Sequence, residues 1–172
     1  MNFRKQLLAE ASRTNIDFIV ATINGEEERF EEVFPFIYDS NGYVANRAGW
    51  VVEKCAAKYP YLVKPHINEI IDFLPQISFG GLRRLMLKVL TLLPIPETRL
   101  GEVIDVCLTW LESPREKVAI KVYSMQILTD FCRREQKMIP ELLSIIENHY
   151  ERNSFAFQSR ADKVFEEFKD YL

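Results

Sequence analysis

His66 and His149 are the chain's two histidines, and Cys55, Cys107 and Cys132 its three cysteines. Zinc and related metals need clustered His and Cys at short spacing. Neither histidine has a second His or Cys at such spacing, so no metal site is expected. The cysteines are odd in number and widely spaced, which fits neither a disulfide framework nor a zinc site. Each lies in an apolar helical pattern, where a reduced thiol packs as a small hydrophobe. Ser124 and Ser159 have no histidine partner in the same part of the chain. No Gly-x-Ser-x-Gly elbow, P-loop or His-Glu-x-x-His motif occurs, and none of the six glycines has phosphate-cradling spacing. The acids Glu26, Glu27, Glu28, Glu31 and Glu32 open a helix, where carboxylates favour the N-terminal dipole. These residues predict no catalytic set, cofactor or small-molecule substrate, and hence a non-enzymatic protein.

The elements behind these residues are helical. Of 172 residues, 48% are hydrophobic and 27% charged, the composition of a globular domain able to bury a core. Apolar residues recur at 3.6-residue spacing nearly throughout. The pattern predicts helices at about 3–12, 15–24, 26–38, 43–58, 61–74, 79–93, 97–112, 114–133, 136–151 and 154–171, and no strand. Thr14 reads as a helix cap, with Gly25 just past that helix's end. Ser113-Pro114-Arg115-Glu116 reads as a capping box with proline at the first helical position. No stretch approaches 18 consecutive apolar residues, and charges break up the N-terminus, so neither a membrane span nor a signal peptide is expected.

A repeat underlies these helices. Aligning the second helix of each pair on a basic residue superposes Arg47, Arg84, Lys121 and Arg160, at steps of 37, 37 and 39 residues. Independently, the segments starting at Pro65 and Pro140 share an Ile-Ile-acid ending two periods apart. A helical pair with this period buries its apolar faces only by stacking on its neighbours. With Arg47-Ala48, Arg160-Ala161, Arg84, Lys121 and the prolines Pro35, Pro65 and Pro140, the chain resembles HEAT-like α-solenoids, including small bacterial HEAT-like proteins of unassigned role. The resemblance implies an all-α, right-handed α-α superhelix of about four helical pairs and 8–10 helices. It would form one domain over 1–172, with capping helices in 1–25 and the four pairs in 26–172.

Charge divides along the same repeat. The net charge is −3, which excludes a generally basic coat for nucleic acid. Second helices nevertheless sum to +7 and first helices to −11. The resemblance places second helices on a concave face, which would then be basic and attract an acidic partner. The expected binding residues are Arg47, Trp50, Lys54, Arg83, Arg84, Lys88, Lys117, Lys121 and Tyr123. Arg47, Arg84 and Lys121 could instead pair with acids of the preceding turn, such as Asp39. Trp50 could be a packing residue beside Gly49.

The resulting reading is a cytoplasmic module that binds protein through this face, with an acidic segment as the natural partner. Nucleic acid is the second reading. Trp50 and Arg84 resemble the groove of HEAT-like DNA alkylation repair proteins, but the position of that family's Asp is Lys54, and Trp110 is followed one turn later by Pro114. A purely structural assembly subunit is the third, with Phe155, Phe157, Phe165 and Phe168 as a terminal apolar patch.

Overall fold

A computed structural model describes residues 1–172. Every regular element is helical. The α-helices are α1 (Phe3–Ala9), α2 (Arg13–Ile23), α3 (Glu27–Val33), α4 (Gly42–Lys58), α5 (Pro60–Val63), α6 (Ile67–Phe73), α7 (Gly80–Leu92), α8 (Leu100–Glu112), α9 (Val118–Cys132), α10 (Ile139–Tyr150) and α11 (Phe155–Glu167). No helix is long and apolar enough to cross a membrane. The chain divides into two compact units, Met1–Pro96 and Glu97–Leu172.

Prolines shape the first helices. The predicted helix 26–38 is α3 followed by a 3-10 turn at Phe34–Tyr38. Pro35 has no N–H to continue the α ladder, so the chain tightens there. Pro65 and Pro75 do the same at Lys64–His66 and Leu74–Gln76, so the predicted helix 61–74 is α5 and α6 with a 3-10 turn between them.

In the first unit, α4 is the central element. It packs along α7, α5, the turn 34–38, α1 and α2. Its core side is Val44, Ala45, Ala48, Val51, Val52, Cys55 and Ala56, all buried. Gly49 permits the approach of α7: a Cβ there would collide with Leu82 Cδ1. The turn between α1 and α2 is pinned by buried Asn15, whose amide donates to the carbonyls of Gln6 and Glu10, each at 3.0 Å. This arrangement moves the cap from the expected Thr14 to Ser12, whose Oγ accepts from the Asn15 N–H at 3.0 Å. The helix stop at Asn24-Gly25 forms as predicted, with both residues left-handed at φ 50° and 76°.

In the second unit α8 packs on α9, and α11 packs on α9 and α10. The expected capping box at 113–116 does not start a helix. Ser113 ends α8, donating its N–H to the Thr109 carbonyl. Its Oγ accepts from the Arg115 N–H at 3.2 Å in a local turn. The reversal consumes these residues, so α9 begins at Val118, with Lys117 before it and no side-chain cap. Of the four terminal phenylalanines, Phe157 and Phe168 are core residues, Phe165 is half-buried and Phe155 is 83% exposed.

Candidate interaction face

In the first unit the candidate face follows from helical spacing. Tyr43, Arg47, Trp50 and Lys54 recur at i, i+4, i+7 and i+11, one stripe of α4. Asn46, Gly49 and Glu53 lie one position earlier and form the seam with α7, meeting Gly81, Leu82 and Lys88. The stripe is therefore turned out beside that seam. Tyr43 is 72% exposed, and Arg47, Trp50 and Lys54 are half-buried. Across the seam, Arg84 and Lys88 sit one turn apart on α7 and are also half-buried.

These cations do different things. Arg47 Nη1 donates to the Leu7 carbonyl at 2.6 Å, and its guanidinium lies 5.9 Å from the Tyr43 ring centroid. A carbonyl holds the arginine in place but leaves its charge uncancelled. The alternative pairing of Arg47 with Asp39 is not formed. Asp39 is held by Arg4 at 2.9 Å, and that guanidinium, with the Asn41 N–H, keeps its carboxyl below the usual range. Arg83 Nε donates to the Ile77 carbonyl at 2.6 Å, which turns this arginine back onto its own loop. Lys88 reaches Glu53 at 2.6 Å. Glu53 is the single acid of α4, and α7 has none. With Glu53 buried and engaged, Arg47, Lys54 and Arg84 have no acidic neighbour on either helix.

In the second unit the expected residues behave otherwise. Lys117 is exposed and Tyr123 half-buried. Lys121 is only 4% exposed, so it does not present an ammonium on an open face as expected. Burial lowers its pKa, against the favourable charge of Glu116. The apolar stripes of α9 carry it inward, because that helix is covered on two sides by α8 and α11. The fourth aligned cation, Arg160, reaches from α11 to Gln126 Oε1 on α9 at 2.5 Å. Arg47 and Arg160 thus each tie a second helix to an earlier element through an uncharged acceptor.

One constellation in the first unit is absent from the sequence-based expectations. The His66 side chain is only 14% exposed. Its ring centroid lies 4.0 Å from that of Phe34 and 5.7 Å from that of Phe30. Nε2 is 2.6 Å from Glu31 and Nδ1 3.3 Å from Glu69, which also accepts from the Tyr38 hydroxyl at 2.7 Å. This cluster fastens the acidic segment 27–38 to the segment 64–73. The i, i+4, i+8 spacing of Phe30, Phe34 and Tyr38 is the signal that could have revealed it.

Helical pairs whose second helices pack side by side, α4 on α7 and α9 on α11, define an α-helical repeat protein. The chain belongs to the HEAT repeat domain family, which matches residues 3–167. That family's fold is an all-α solenoid, and the match runs through both units. No curated protein and no solved structure matches the chain.

Proposed function

We propose that this protein is a non-enzymatic, protein-binding HEAT repeat module, and that the open side of α4 and α7 receives an acidic segment of its partner. One observation carries the reading: the only acid of the two helices is buried against Lys88, so α4 and α7 contribute only basic charge to the face bearing Arg47, Lys54 and Arg84. Tyr43 and Trp50 on the same stripe supply aromatic area of the kind enriched at protein interfaces. Lys117 and Tyr123 offer a smaller accessible set on the second unit. A reducing compartment such as the cytoplasm suits three buried thiols.

The test is a titration with a Glu/Asp-rich peptide and, in parallel, a Lys-rich peptide of equal length. The acidic peptide should bind, weaken as salt is raised, and lose at least tenfold in affinity with a Lys54→Glu/Arg84→Glu variant. Equal binding of both peptides, or no effect of the charge reversal, would overturn the proposal. A single-stranded oligonucleotide that displaces the acidic peptide, with a steep salt dependence, would assign the face to nucleic acid instead.

A further inference from the structure

The geometry of the second unit points to a different site: a pocket for a guanidinium group, presented by an arginine side chain of a bound peptide. It does not rest on the basic face. A cavity of about 480 Å³ lies between α10 and α11, lined by Glu147, Tyr150 and Glu151, by Asp162 and Phe165, and by Leu172. The i, i+3, i+4 spacing on α10 and the i, i+3 spacing on α11 place these side chains on two facing stripes. Its size is that of ordinary ligand sites.

Three carboxylates at a surface would amount to a solvated patch. The walls between them give this cavity a ligand class. The Tyr150 and Phe165 rings lie 6.0 Å apart, tilted by 36°. The Tyr150 hydroxyl donates to Asp162 Oδ1 at 2.7 Å, which fixes the ring and leaves the other carboxylate oxygen available. No basic side chain lines the cavity. An inorganic cation is a poor fit, because these carboxylates do not converge as metal ligands. An ammonium would surrender a strong hydration shell to aromatic walls. A guanidinium is planar, delocalised and weakly hydrated, stacks on aromatic faces, and donates in a fork to carboxylates. Both features of the cavity suit it at once.

The experiment is an NMR titration of the full chain with N-acetyl-arginine methylamide, following the Tyr150 and Phe165 ring signals. The uncharged isostere N-acetyl-citrulline methylamide and the lysine analogue are run in parallel. Arginine should shift both rings, with citrulline and lysine each at least tenfold weaker. Glu151→Gln and Asp162→Asn should weaken arginine binding, and so should Phe165→Leu, which keeps apolar volume but removes the aromatic face. Citrulline or lysine binding as well as arginine would overturn the proposal. So would no response to arginine at millimolar concentration and low salt. Undiminished binding by Phe165→Leu would reduce the site to diffuse attraction and equally overturn it. If that variant does not fold, the exposed-residue variant Glu147→Gln/Glu151→Gln decides, and unchanged arginine affinity there is fatal to the idea.

Discussion

The Lys88 ammonium lies 2.6 Å from the Glu53 carboxylate across the α4–α7 seam, with the Glu53 side chain only 5% exposed. Removing one partner of a buried pair leaves the other charge desolvated. The Lys88 side chain is itself 36% exposed, so Lys88→Met should destabilise the protein by about 1–3 kcal/mol, the cost of a buried acceptor left without its partner. Glu53→Gln/Lys88→Met should recover most of that loss. Denaturant titration of the two variants measures both quantities. A single variant as stable as wild type would show that Glu53 reaches water.

Asn24 and Gly25 hold the stop of α2 in left-handed backbone, and Gly25 sits against Tyr59 and Tyr61. The Tyr61 hydroxyl donates to the Gly25 carbonyl at 2.8 Å. Asn24→Gly should be nearly neutral, because either residue tolerates this region. Gly25→Ala should cost about 1–2 kcal/mol through strain at positive φ, before any shift of the tyrosines. The thermal midpoints of the two variants should differ by several degrees. Equal midpoints would refute the assignment of backbone strain to Gly25.

Burial pushes the thiols of Cys55 and Cys107 up to about 12 and that of Cys132 up to about 11. The thiolate is the reactive form. At neutral pH the folded protein should react with an aromatic disulfide reagent far more slowly than a free thiol does. All three cysteines should react promptly in denaturant. A fast phase of one equivalent in native buffer would contradict the packing around that residue.

Titration of His149 tests the buried lysine. Burial lowers the His149 pKa, and the positive charges of Lys121 and Arg152 lower it further, against Glu112. A histidine depressed in the folded state binds its proton better when unfolded. Its contribution to stability is present above the ordinary value of 6.5 and is lost as pH falls through the lower folded value. The His149 ring should titrate below 6.5 by NMR, and Lys121→Met should move that midpoint upward. An unchanged midpoint would mean that the two charges do not sense each other.

Asp39 provides a second acid-sensitive contact. Its folded pKa is lowered by Arg4 and by the Asn41 N–H. The stability it contributes is present above the unfolded value near 3.8 and disappears as pH falls through the folded one. Arg4→Gln should bring the Asp39 titration back toward 3.8, as read from its carboxyl carbon resonance. A titration that stays low would assign the shift to Asn41 instead.

Helical class, the pairing of helices and the repeat were legible because each rests on local periodicity. A 3.6-residue apolar rhythm specifies a helix and its buried face without knowledge of what covers that face. The placement of Arg47, Trp50 and Lys54 together on one helix was legible for the same reason, whereas Tyr43 joined their stripe only in the structure. Boundaries at prolines and caps were less so, since Ser12 outcompetes Thr14 only once Asn15 is committed to the α1–α2 turn, and Ser113 cannot both end α8 and start α9.

What the sequence alone determined is an all-α repeat chain with basic second helices and acidic first helices. What only the tertiary structure decided is which charges remain available. Lys121 and Lys88 follow the same basic pattern as Arg84, yet one is buried in α9 and the other is held by Glu53. The concave pairing of Tyr150 with Phe165 beside three carboxylates is likewise set by α10 meeting α11. Periodicity fixes the face on which a side chain lies. Its availability depends on the distance to groups far along the chain, and packing alone sets that distance.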